Sequence, residues 1–202
     1  MNGPRMLKVR RTKSQTMDKP QSLLESVARS RHQFIQAASG LTYAQSQFKP
    51  SAEVWSVVDN VEHMVWAEMG GINGIWKTLD GIRTNKPIWT GEAIHHGLPI
   101  EKIIEKTWKE KEQVPEIAKP RWGGSVDYWI EALSNCQNML GSLCDELEGY
   151  DPEQIIYPHI LSGPLNVVQR LEFLRFHLNR HQRQIENLKA HPDFPLAKQT
   201  VA

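Results

Sequence analysis

His177 and His181 stand four residues apart in the run Phe176-His-Leu-Asn-Arg-His-Gln-Arg-Gln184. On an α-helix, positions i and i+4 share a face with Cβ atoms about 5–6 Å apart. Two imidazoles so placed can converge on one metal ion at about 2.0–2.1 Å each. The chain has eight histidines in 202 residues, which makes such a pair common by chance, so its surroundings decide its meaning. On the helical side of His177 lie Phe173, Leu174, Leu178, His181, Ile185 and Leu188, while most of the charged residues point elsewhere. Both rings therefore fall within an apolar stripe, where their nitrogens need partners. One shared cation would satisfy both. The alternative is a pair of core histidines bonded to carboxylates or backbone.

A metal held by two imidazoles needs a further ligand. His63 is the candidate from a second helix, where Asp59, Asn60, Ala67, Gly70 and Gly74 are its neighbours. It lies nearly opposite the Val57, Val58, Val61, Val65 and Ile72 stripe, so periodicity does not place it in the main core. The small residues beside it suit a cavity wall or a close helix approach. Among the other histidines, His95 and His96 are expected in a solvent-exposed loop and His32 on a polar helix face. His159 and His191 sit beside prolines, in a loop and at a helix end. Asp59 and Gln184 stand where they could orient the ligand rings, although helix capping and surface solvation are their ordinary roles. Glu62 and Glu68 read as solvated carboxylates, with acid–base work the minority alternative.

The elements that must position these residues are helical. A first helix spans 21–39 and stops at Gly40. Ser56 caps a second, with Asp59 three residues later as a variant capping box, running to Asp80 and stopping at Gly81. A loop over 82–98 leads to a short charged helix, 99–111, and another loop. A third long helix spans 125–148, closed by Gly149. The last covers 163–190, with Ser162 or Gly163 as cap, Pro164 in its first turn and Pro192 beyond its end. No stretch alternates convincingly as a strand. The expectation is an all-α fold: a four-helix bundle with long crossing connections and a short extra helix.

Composition narrows the function classes. A formal net charge of +1 argues against general affinity for nucleic acid or acidic membranes, and no window is apolar enough for a membrane span. Residues 1–20 carry six basic side chains against Asp18 and read as a disordered tail, leaving 21–195 as one domain and 196–202 as a second tail. Cys136 and Cys144, eight residues apart on one helix, are about 12 Å apart along its axis, too far for a disulfide. They read as small buried hydrophobes in a reducing compartment, so a cytoplasmic location is expected.

The motifs together resemble the DinB-like superfamily of metal-binding four-helix bundles. Phe48-Lys-Pro50 followed by Val54-Trp-Ser-Val-Val-Asp-Asn-Val-Glu-His63 is similar to the family's Trp-Ser entry into the second helix and its first ligand histidine. Pro158-His159 and Gly163-Pro-Leu165, leading into the paired histidines, resemble its final helix. The likeness covers roughly 22–195, and the charged insertion over 99–119 departs from it. It implies a divalent ion, commonly zinc or nickel, on His63, His177 and His181, and often a homodimer. Related proteins look like S-transferases and isomerases that use low-molecular-weight thiols, or like hydrolases.

Three neutral imidazoles leave the ion's double charge uncompensated and a position open, as in catalytic rather than structural sites. Such an ion lowers the pKa of bound water or thiol, so metal-bound water or thiolate would be the reactive group toward a small-molecule substrate. The expected function is a metal-dependent enzyme, S-transferase-like or hydrolase-like. The alternatives are a non-catalytic metal-binding or dimerisation module, and a purely structural histidine cluster.

Overall fold

The computed structural model describes residues 18–109 and 113–196. Its elements in chain order are α1 (Asp18–Ala38), α2 (Tyr43–Ser46), α3 (Val57–Arg83), α4 (Ile100–Thr107), a single 3-10 turn (Glu116–Ala118), α5 (Val126–Glu146), β1 (Ile156–His159), β2 (Gly163–Asn166) and α6 (Val167–Lys189). The fold is all-α apart from one small hairpin. The four long helices α1, α3, α5 and α6 form the bundle. Helix α1 packs chiefly on α6 and also on α5, and α3 packs on α5 and α6, so α1 and α3 sit diagonally. Their apolar faces meet in one core that includes Phe34, Val61, Ile72, Trp129, Leu140 and Leu178. A smaller cluster seats α4 on the start of α6 through Ile100, Ile103, Leu165 and Phe173. No helix among the described residues is long and apolar enough to cross a membrane.

Helix α3 begins where the sequence places it. The Ser56 hydroxyl accepts from Asp59 N–H, and the Asp59 carboxylate accepts from Ser56 N–H, satisfying two otherwise orphaned donors. It does not stop at Gly81. That residue lies inside the last turn, where a Cβ would press on the Lys86 carbonyl oxygen, so Gly81 admits the following loop instead of ending the helix. The turn comes at Asn85, whose φ of 56° is left-handed, a conformation asparagine tolerates better than most residues.

The last helix starts later than expected. Residues 163–166, read as its first turn, instead pair antiparallel with 156–159, with Tyr157 opposite Leu165 and Pro158 opposite Pro164. Asn166 is the actual cap, in a reciprocal capping box with Gln169. Four-residue strands, each holding a proline, are too short to show a period of two. The Asn-x-x-Gln pattern was the available signal. The basic tail expected over 1–20 lies mostly outside the described residues, and its last three positions already belong to α1. Residues 197–202 of the second tail lie outside them too.

Candidate metal centre

Three histidines from two helices come together. His63 sits in the second turn of α3, and His177 and His181 on successive turns of α6; all are buried, at 4–5 % exposure. Nε2 of His177 lies 3.2 Å from Nε2 of His63 and 3.0 Å from Nε2 of His181. Two nitrogens bonded to one ion at about 2.0–2.1 Å stand roughly 2.9–3.4 Å apart across octahedral to tetrahedral angles, so the separations have the right size for a shared ion. Burial pushes His63 down to about 4 and holds His177 and His181 well below the ordinary imidazole value, with neighbouring rings and Arg180 adding to the effect. At neutral pH all three are uncharged.

The outer nitrogens fix the tautomers. His63 Nδ1 is 2.7 Å from the Ala118 carbonyl oxygen, and His181 Nδ1 is 2.8 Å from Asn60 Oδ1. Both are acceptors, so each ring spends its proton there and turns an Nε2 lone pair inward. Nδ1 of His177 has no partner among the described residues. If His177 carries its proton on Nε2, it can donate to only one neighbour; otherwise three lone pairs face one point. Either way the cluster lacks positive charge at its centre, and a cation there would satisfy all three rings. These residues form a group that could hold a metal ion.

Long-range contacts position the rings. The Ala118 carbonyl ends the 3-10 turn, and the chain after it is clamped by Glu62. That carboxylate is fully buried and accepts from the backbone N–H groups of Arg121 (2.8 Å), Trp122 (2.9 Å) and Gly123 (2.8 Å) and from the Trp66 indole (3.1 Å). Burial pushes its pKa up, but these bonds outweigh it and hold it below the usual range. Glu68 is also fully buried, in an ion pair with Arg31 at 2.5 Å. Neither is the solvated carboxylate that the sequence suggests, because loops and α1 cover what periodicity marked as α3's polar side. His63 is covered instead by the turn that carries Ala118 and by α6. Trp55 lines the centre, with its ring 4.9 Å from that of His63 and stacked 6.0 Å from that of His181.

Other sequence candidates fall elsewhere. Asp59 completes the α3 cap and pairs with Lys49 at 2.5 Å, and the residue that reaches a ligand ring from this turn is Asn60. Gln184 lines the cavity near His181. His95 is buried, with Nε2 2.7 Å from the Ser162 carbonyl, contrary to its expected exposure; His96 and His32 are exposed. His159 is on β1, its ring 4.4 Å from that of Phe173. Cys136 is buried and Cys144 half-buried, both unpaired and pushed up by burial to about 12 and about 11.

The centre opens into a cavity of about 1120 Å³. Gly70 and Ala67 of α3, Trp108, Phe173, Tyr157 and the 114–119 segment are among its walls. The charged insertion thus supplies one side of it. Gly74 lets the hairpin approach, since a Cβ there would overlap the Tyr157 ring.

A helical bundle with a buried three-histidine group at the foot of an open cavity is the architecture of a metal-binding protein class. A model of the DinB superfamily matches residues 26–185, and the chain belongs to that superfamily. No curated protein and no solved structure matches it.

Proposed function

We propose that this chain is a metal-dependent enzyme holding one divalent ion, zinc or nickel, on His63, His177 and His181, and acting on a small molecule by S-transfer from a low-molecular-weight thiol or by hydrolysis. The observation that carries the reading is the convergence of three uncharged Nε2 atoms at the foot of a large cavity. A bound ion would supply Lewis-acid activation of a nucleophile, water or thiol, at neutral pH. The chain's own residues do the rest: Ala118 and Asn60 hold the ligand rings in the required tautomer, and Trp55, Trp108 and Phe173 offer the apolar surface for a substrate body. The protein brings no nucleophilic thiol of its own, since both cysteines lie outside the described cavity lining with raised pKa values. This favours a nucleophile that enters with the cosubstrate or as water.

The test is elemental analysis of protein purified without chelator. About one divalent ion per chain, lost in His177→Ala, supports the site; metal-free protein that takes up no zinc or nickel on dialysis overturns it. Turnover of chlorodinitrobenzene with thiols, or of simple esters, then separates an enzyme from a metal-binding module. As part of the same reading we take the chain to work as a homodimer in the cytoplasm, the former checked by sedimentation.

A further inference from the structure

Beside the three histidines, the cavity is lined by cations that little balances. Arg170, near the start of α6, is buried at 7 % exposure. Its Nη2 donates to the carbonyls of Tyr157 (3.2 Å) and Pro158 (2.8 Å), and its Nε has no partner among the described residues. Arg180, half-buried on the same helix one residue before His181, holds its guanidinium 5.4 Å from the centroid of the Trp108 ring. Both line the cavity. Among the described residues neither forms an ion pair with a carboxylate. The acid on the described lining is Glu53, which is exposed and accepts from the Ser51 hydroxyl.

His159 adds a neutral donor. Its Nδ1 accepts from the backbone N–H groups of Leu161 (3.3 Å) and Ser162 (3.1 Å). The ring proton therefore sits on Nε2, which has no acceptor among the described residues. Burial, with Arg170 nearby, holds this ring down at about 3, so it stays uncharged. Two guanidiniums, one of them buried, and an N–H donor in one largely apolar cavity ask for an acceptor, because a cation drawn out of water is unfavourable without a counter-charge. Three neutral imidazoles around a dication would make the same space more positive still.

We propose that the ligand of this cavity is a small organic acid with an apolar body, its carboxylate bound by Arg180, with Arg170 and the His159 Nε2–H group deeper in the cavity favouring the same charge. Arg180 is the direct contact, because among the described residues it has no carboxylate partner and it stands beside the metal ligands, whereas Arg170 is engaged with the β1 carbonyls. The inference deepens the reading of this cavity as a metal site but stands on the arginines. Guanidinium and carboxylate meet through two parallel hydrogen bonds, and the Trp108 and Phe173 rings face the apolar body.

The experiment is calorimetric titration of the full chain, as purified and after chelator treatment, with phenylacetate and with its uncharged counterpart phenylacetamide. The expected result is a preference for the acid of about tenfold or more in both forms. Arg180→Gln should reduce it to near parity and Arg180→Lys restore it in part, with Arg170→Met giving a smaller loss. Unfolding temperatures of each variant exclude collapse of the cavity, and if Arg170→Met fails to fold, the Arg180 pair decides alone. Equal binding of the two probes, binding of neither, or a preference that survives Arg180→Gln overturns the proposal. A preference seen only with metal bound and indifferent to Arg180 overturns it while leaving the metal reading intact. A preference that follows Arg180 in a protein that takes up no metal sustains it while the metal reading fails.

Discussion

Asn60 Oδ1 lies 2.8 Å from His181 Nδ1, and the other end of the same amide, Nδ2, donates to the Ser56 carbonyl at 2.8 Å. The second bond decides which end of the amide faces the ring. The N-terminal turn of α3 thereby sets the tautomer of a histidine on α6. Replacing Asn60 by Leu removes that acceptor and leaves the ring free to turn. Metal affinity in Asn60→Leu should fall about 10–100-fold, read by competition against a chromophoric chelator. An unchanged affinity would mean that His181 is oriented from somewhere else.

Stability of the metal-free protein should depend on acid in a definite direction. His63 is pushed down to about 4 in the fold, against 6.5 for an unburied ring. Between those values the unfolded chain binds more protons than the folded one, so stability is lost as pH falls through this window and is level above it. His63 alone accounts for roughly 2 kcal/mol between about pH 6.5 and pH 5. His177 and His181 act in the same direction. Urea unfolding of chelator-treated protein at several pH values measures the slope; a flat profile would contradict buried, neutral rings.

Gly74 should resist any side chain. A Cβ there overlaps the Tyr157 ring, so Gly74→Ala must displace the hairpin or strain α3. A cost of about 1–3 kcal/mol is expected from overpacking of this kind. The double variant Gly74→Ala/Tyr157→Ala tells the cause apart. If the alanine at 74 costs as much without the tyrosine ring as with it, this contact is not the reason.

Glu62→Gln tests the clamp on the 121–123 segment. The glutamine keeps the shape but points an N–H₂ group at backbone donors that now share two carboxylate oxygens. Leaving such buried donors unsatisfied costs about 1–3 kcal/mol. Hydrogen exchange should quicken at the amides of Arg121, Trp122 and Gly123. Metal affinity should weaken with it, because the same stretch of chain delivers the Ala118 carbonyl to His63. Unaltered exchange at these amides would show that the loop holds without the carboxylate.

The paired histidines and the bundle were legible in the sequence because both rest on local periodicity. The four-residue spacing of His177 and His181 and the Ser56–Asp59 cap are properties of single helices, readable wherever a helix forms. His63 was a candidate from the small residues beside it, but only its likeness to a family pattern joined it to the pair, since the valine stripe of its own helix pointed the other way. What the tertiary structure alone decided is everything that crosses elements. It buried Glu62, Glu68 and His63 under a loop and a neighbouring helix, brought a backbone carbonyl from residue 118 onto His63, and gathered Arg170, Arg180 and His159 around one cavity. A helical pattern records which side of an element is apolar. It carries no record of which distant carbonyl, amide or guanidinium will meet that side, because those contacts are set by chain crossings tens of residues apart.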